Sequence, residues 1–532
     1  MPVFVGTGDT SSRIRSNRVG FASHSANPGT ASEGDVYFNS SDGGLRAYDG
    51  SAWSAVGAGG GTFSGIASGT LSNGQTVIIQ SDGTVVGVSS TGSPATFGTA
   101  VVFESAEVAD VSAAYDSSNG KVVIAYKDEG NANNGTAVVG TVSGTSIIFG
   151  TPVNFNSGSF GTENIAVAYD SSEEKVVIAF TDGNNSSYGV AIVGTVSGTS
   201  INFGSKTTFE ATSNVAFIAI TYDSSNSKIV IAYRDVGNSN YGTAIVGTVS
   251  GTSISFGSAA VFESANTQNI SATYDSGNGK VVIAYRDYAN SEYGTAVVGT
   301  VSGTSINFGS ATVFESAVTR SISPVYDSTN GKVVIAYRGG SNYGKAIVGN
   351  VSGTSINFGT AVVYESDTIV ANGATYDSNS GKVVIAYSDN GNSEYGTLIT
   401  GTVSGTSISF GSPTVFESAA IKLPVPTYDS SNKSVVVAYK DEGNSNYGTA
   451  IVFKDVSTNL TSENFIGFSD AAYSDGATAK VQIVGSVDDA QTGLTTGSLH
   501  YVQNDGSLST TAGNPSVSAG IALTDTKILI RK

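Results

Sequence analysis

Six aspartates, Asp128, Asp182, Asp235, Asp287, Asp389 and Asp441, recur at one point of a repeated phrase, and tyrosines 188, 241, 293, 343, 395 and 447 recur a few residues later. Tyr188, Tyr241, Tyr293, Tyr343, Tyr395 and Tyr447 beside carboxylates and amides suit a sugar: the ring covers the apolar C–H face while Asp and Asn take the hydroxyls. A tyrosine present in almost every copy equally suits packing between copies, with the aspartate as a turn residue. Glu104, Glu210, Glu263, Glu315, Glu365 and Glu417, each after Phe or Tyr, are candidates to sit near the aspartates as paired carboxylates for glycoside cleavage. Their uniform repetition favours architecture, so no catalytic residue is assigned and the chain is read as a non-enzyme. The only histidines are His24 and His500, which leaves neither a Ser-His-Asp arrangement within one module nor a histidine metal site. The Asp-x-Gly-Asn loops offer oxygen ligands for calcium, but their spacing departs from the EF-hand pattern, and no metal or cofactor is assigned.

These residues hang on Lys-Val-Val-Ile-Ala-Tyr, which returns seven times with its aromatic at Tyr126, Phe180, Tyr233, Tyr285, Tyr337, Tyr387 and Tyr439. One copy reads Ile270 to Tyr274, a turn through Asn278 and Gly279, Val281 to Tyr285, a loop, Thr295 to Val301, a Ser-Gly-Thr turn, then Ser305 to Phe308. β-Branched and aromatic runs between glycine turns predict four short strands, and no segment keeps a helical period. The fold class is all-β. Consecutive apolar residues in the second strand require cover on both faces, and four strands in roughly 40–50 residues is the length of a β-propeller blade.

The ends of the array are informative. An isolated fourth strand, residues 94–105, precedes the first copy, and the seventh copy ends after Thr449 to Phe453 without one. Joining the two predicts a seven-bladed β-propeller whose last blade is completed by the amino-terminal strand, leaving no open edge. The hairpin from Thr76 to Val88 is the alternative, as a degenerate eighth blade. The domains are therefore 1–62, an arm and β-hairpin; 63–92, a connecting β-hairpin; 93–457, the propeller; and 458–532, a small β-module.

In the first module Arg13, Arg15 and Arg18 lie in an irregular arm, while Tyr37, Tyr48 and Trp53 belong to a hairpin too short to bury them. These six are the candidate attachment or assembly residues. Cysteine is absent, removing disulfides and thiolate metal sites. A net charge of −18 without a lysine or arginine stripe argues against nucleic acid, and no apolar run reaches bilayer-spanning length. The start of the chain lacks a signal-peptide pattern, so synthesis in a cytoplasm without a signal peptide is expected.

Glu33-Gly-Asp-Val-Tyr-Phe-Asn39 with Leu45 to Trp53, Gly69 to Val77 with Ser81 to Val85, Phe465 to Asp470, and Gly493 to Gly506 resemble modules of tail-fibre and other virion structural proteins of marine tailed bacteriophages, including cyanophages. The repeat Tyr-Asp-Ser-Ser-Asn-Gly-Lys-Val-Val-Ile-Ala-Tyr-Arg-Asp resembles repeats in such proteins too. The resemblance implies a virion component at the tail or particle surface, contacts with other virion proteins, and a homo-oligomer, with a trimer expected as in tail fibres. The segments that vary most among copies are residues 106–110, 157–163, 211–217, 265–269, 317–321, 367–372 and 419–424. They fall on one face, so that face is the expected site for a host-surface glycan or receptor. A purely structural capsid or tail decoration, or a polysaccharide depolymerase, are the other readings.

Overall fold

In the computed structural model, residues 61–80, 82–89, 96–158, 160–455, 459–512 and 516–531 are described in full, together with the backbone of short strands at 14–15, 18–19, 23–24, 36–39, 44–48 and 53–56. The chain divides into two units, Pro94–Asp455 and a second made of Met1–Ser93 with Val456–Lys532.

Within Pro94–Asp455 every copy builds the same antiparallel sheet. The long strand Ala260–Asp275 shows how successive sheets connect. Its first residues pair with Tyr241–Ser250 (Val261 opposite Thr243), and its later ones with Lys280–Asp287 (Ser271 opposite Ala284). Lys280–Asp287 pairs with Tyr293–Ser302, whose other edge carries Ser305–Phe308 and Thr312–Val318. The fourth strand is thus broken into two pieces. Turns follow from residue chemistry: Gly303 takes φ +61° in the two-residue link between Ser302 and Ser305. Asp275, fully buried, holds the Asp-Ser-Gly-Asn-Gly turn by accepting the Asn278 N–H (3.0 Å) and its side-chain amide (2.9 Å).

Burial answers why the second strand is apolar at consecutive positions. Val281, Val282, Ile283, Ala284 and Tyr285 are each 0% exposed. Val281, Ile283 and Tyr285 pack against the preceding sheet with Val230, Ala232 and Val246. Val282 and Ala284 pack against the following one with Val333, Ile335 and Tyr337. Each strand therefore feeds two cores, at roughly 1.5–3 kcal/mol per buried Val or Ile.

At the ends of the array, Thr96–Phe97 and Val101–Asp116 pair with Tyr447–Lys454, with Phe97 opposite Phe453, Val101 opposite Ala450 and Val102 opposite Thr449. Phe103 shares a core with Tyr126 of the first copy and with Val436, Ala438 and Ala450 of the seventh.

In the other unit, Val36–Asn39 and Gly44–Tyr48 form the expected hairpin, and Trp53–Val56 adds a third strand with Trp53 opposite Tyr48. Arg15 stands opposite Arg18 between two short strands. Arg13 lies outside the described residues, as do the side chains of Arg15, Arg18, Tyr37, Tyr48 and Trp53.

Residues 63–92 and 458–532, separated in the sequence reading, share one sheet ordered Thr62–Ile66, Thr478–Gln482, Phe465–Ser469, Thr76–Ile79, Val85–Gly87. The physical reason is that an isolated hairpin is marginal in water; Ile78 gains burial beside Phe465 and Phe468. The hairpin from Thr76 to Val88 is thereby accounted for outside the repeat array. By sequence Asn504-Asp-Gly506 suits a type I′ hairpin turn, but only Gly506 is left-handed (φ +85°), and its N–H bonds the Gln503 carbonyl, giving a turn that ends in a glycine bulge.

Candidate functional site

Five of the recurrent aspartates face a tyrosine across the mouth of the hairpin between second and third strands, while Asp128 faces Asn134. Asp182 is opposite Tyr188, Asp235 opposite Tyr241, Asp287 opposite Tyr293, Asp389 opposite Tyr395 and Asp441 opposite Tyr447. The fifth copy has Gly339 instead of aspartate, and its Tyr343 is 37% exposed. Most of the carboxylates serve their own loops: Asp182, Asp235, Asp287 and Asp441 accept the N–H of Asn184, Asn238, Asn290 and Asn444 at 3.0–3.1 Å. The tyrosines are different. The rings of Tyr188, Tyr241, Tyr293, Tyr395 and Tyr447 are half-buried, and none of the six hydroxyls has a hydrogen-bond partner among the described residues.

The glutamates meet the other tyrosine. Tyr126, Tyr285, Tyr337, Tyr387 and Tyr439 donate to Glu104, Glu263, Glu315, Glu365 and Glu417 at 2.8–3.1 Å, and Tyr233 to Glu210 at 3.5 Å. Each bond joins one sheet to its neighbour, because the glutamate closes one copy and the tyrosine opens the next. The exception explains itself: Phe180 has no hydroxyl, and Asn156 stands where glutamate would. There Lys206 Nζ bridges Asn156 Oδ1 and Asp182 Oδ2, both at 2.8 Å. In the fifth copy, where the aspartate is missing, Lys345 pairs with Glu315 at 3.1 Å.

Burial pushes the carboxyls of Glu104, Glu263 and Glu417 up, and Asp128, Asp287 and Asp441 add repulsion. Burial also raises Asp110, Asp128, Asp389 and Asp441. At Asp182 burial acts in the same direction but is outweighed by Lys206 and Asn156, leaving it lowered. A carboxyl raised in the folded state binds protons more readily there than in the unfolded chain, so stability grows as pH falls through the raised range. Below it, Asp182 loses its lysine and stability declines. The melting temperature of this unit is expected to be a few degrees higher near about pH 5 than at pH 7 in a pair of calorimetric scans.

The feature that gathers all the copies is a cavity of about 320 Å³. Its lining takes Asp110, Asn164, Phe217, Asn269, Ser321, Asn372 and Leu423, one at or beside the end of each variable segment, together with Val111, Ile165, Ile218, Ile270 and Ile322. Six of these sit at a β-bulge with left-handed backbone: Asp110 (47°), Asn164 (52°), Phe217 (51°), Asn269 (48°), Ser321 (47°) and Leu423 (52°). For Phe and Leu that conformation costs on the order of 1–3 kcal/mol, the kind of local strain that clusters at ligand sites. Neighbouring copies interlock around the cavity, where Asp110 Oδ2 accepts the Asn164 N–H (3.1 Å) and Asn164 Oδ1 accepts the Phe217 N–H (2.9 Å). The sequence reading located the variable segments but missed this lining; the one signal was a lone polar or bulky residue at or beside the end of each segment.

No protein-family model matches the chain, and neither does any curated protein. Among solved structures, BP39L lectin from Burkholderia pseudomallei superposes with TM-score 0.50 at 9% identity, covering 67% of this chain and 99% of its own. AofleA from Arthrobotrys oligospora does so with TM-score 0.38 at 10% identity over 62% and 95%. A mitotic checkpoint complex chain gives TM-score 0.45 at 8% identity over 68% and 94%. At such identities the likeness speaks to the fold: this chain is an all-β protein of repeated sheets, similar in architecture to a β-propeller lectin.

Proposed function

We propose that this chain is a glycan-binding component of a phage virion, a tail fibre or surface appendage. Its repeat array is a seven-bladed propeller closed where residues 96–105 join the seventh sheet, and it acts by binding rather than by catalysis. The pairing of Val102 with Thr449 and the core shared by Phe103, Tyr126 and Val436 support the closed ring. Its fold is shared with a lectin. The virion setting rests on the module resemblance of the flanks, which would join the propeller to other virion proteins or to copies of itself.

One observation carries the reading. Every copy contributes a residue at or beside the end of its most variable segment to a single cavity lined by both polar and apolar side chains, the arrangement expected of a small-ligand site. Half-buried tyrosines with free hydroxyls at the hairpin mouths add sugar-stacking surfaces. Catalysis is disfavoured because the glutamates are held by tyrosine hydroxyls alike in copy after copy. Several copies on one particle would turn weak single contacts into firm adhesion.

A glycan array probed with the full chain tests this. Retention of at least one glycan class, abolished by Asn269→Trp filling the cavity, is expected. A flat array together with binding to virions would favour a structural decoration, and reducing ends released from host polysaccharide would favour a depolymerase.

A further inference from the structure

Pro94–Asp455 contains only four arginines, Arg234, Arg286, Arg320 and Arg338, and all fall in the third to fifth copies. Arg234, Arg286 and Arg338 occupy the position after the tyrosine of the repeat phrase, and Arg320 stands directly opposite Arg338 across the ladder. Like charges in that arrangement repel. The equivalent cations elsewhere are neutralised: Lys127 by Glu129 at 3.6 Å, Lys440 by Glu107 at 2.6 Å. In the arginine sector only Arg286 has a carboxylate partner among the described residues, Glu292.

Their remaining contacts leave donors unused. Arg286, 7% exposed, also donates to Gln268 Oε1 at 3.2 Å, but its Nε has no partner. Arg338 reaches the carbonyls of Ile369 (3.2 Å) and Val370 (3.4 Å), and again Nε is unpartnered. Arg234 lies 4.8 Å from the Phe217 ring centroid with Nε free. Arg320 has no hydrogen bond or ion pair among the described residues. Burial, with mutual repulsion among Arg286, Arg320 and Arg338, pulls the first and last of the three below the usual guanidinium range, which places the group close together.

The cluster adjoins the cavity: Ser321, next to Arg320, lines it and donates to the Val370 carbonyl (3.5 Å) that Arg338 also reaches. Arg234 stands apart, over the Phe217 ring that lines the cavity in the third copy. Tyr288, 47% exposed, offers its ring 5.7 Å from the Arg286 guanidinium.

We propose that Arg286, Arg320 and Arg338 form an anion site that reads the carboxylate or sulfate of an acidic sugar, with Tyr288 beside it for the sugar's apolar face. This rests on the glycan-binding reading and narrows it to acidic glycans. The guanidinium fork matches a planar carboxylate, and an apolar ring next to it matches a uronic acid. A nucleic acid fits poorly: Arg286, Arg320 and Arg338 form a patch rather than a track, and the net charge of −18 opposes a dense polyanion.

The test titrates the full chain with glucuronate, inorganic sulfate and glucose by calorimetry, in the native protein and in Arg320→Gln/Arg338→Gln. Glucuronate or sulfate should bind, more weakly as salt rises, with affinity reduced about tenfold or more in the double variant. The variant's melting temperature should hold or rise because the opposed pair is gone. Equal binding of glucose and glucuronate, or no change in the variant, overturns the anion site while leaving glycan binding intact. Anion binding that needs both arginines, combined with a flat glycan array, sustains the site and sinks the glycan reading. Tighter binding of a short single-stranded DNA than of a polyuronate of equal length overturns the sugar assignment.

Discussion

Gly257→Ala is expected to destabilise the repeat array by about 3 kcal/mol, while the chemically identical change Gly411→Ala is nearly silent. Gly257 sits at the break in a fourth strand, where a Cβ would lie 1.9 Å from the Thr304 carbonyl oxygen and 2.8 Å from its Cβ. Thr304 belongs to the Ser-Gly-Thr turn of the next sheet, so the clash is backbone against side chain and cannot be relieved by a rotamer. The same contact recurs from Gly150 to Thr199, Gly204 to Thr252, Gly309 to Thr354 and Gly359 to Thr406. Gly411 is open, its nearest neighbour 3.8 Å away, because the seventh copy runs from Tyr447 to Lys454 without that turn. Urea unfolding of the two variants measures the difference. Equal losses would mean that successive sheets do not pack break against turn.

Much of this architecture is legible in the sequence because its causes are local. Five consecutive apolar residues demand two covered faces, and the buried second strands supply them. The Asp-Ser-Ser-Asn-Gly phrase announces a turn held by its own aspartate, as at Asp275. An unmatched fourth strand before the first copy and a missing one after the last point to the pairing seen between Val101–Asp116 and Tyr447–Lys454.

What stayed hidden is non-local. Residues 63–92 and 458–532 share a sheet although the whole array separates them, and no local pattern announces such pairing. The bulges lining the cavity use Asp, Asn, Phe, Ser and Leu rather than glycine, so residue type gave no sign of left-handed backbone. The arginines were invisible to a search for a linear basic stripe; they emerge only when the copies are stacked and one position is followed from Arg234 to Arg286 to Arg338. Stacking would also have shown that Asn156 and Phe180 depart from the pattern together, the mark of a glutamate–tyrosine bond.

The second large effect concerns closure. If residues 96–105 complete the seventh sheet, Val102→Cys with Thr449→Cys places two thiols on directly opposed residues of antiparallel strands. The geometry admits a disulfide, and the chain has no other cysteine to compete. Bridging positions so far apart should stabilise the array by up to about 6 kcal/mol on the chain-entropy model. Without closure, the amino-terminal strand would leave its partner's edge bare and the cores around Phe103 and Val436 unfilled, and no single cavity would collect all the variable segments.

The decisive measurement is the state of that cysteine pair in the oxidised, purified protein, read by non-reducing electrophoresis and peptide mapping. Closure predicts a monomeric chain of raised mobility in which the peptides containing residues 102 and 449 are joined, with a higher melting temperature that reverts on reduction. Free thiols, or disulfide-linked dimers in place of the internal bond, would contradict the ring and with it the cavity that all the copies share.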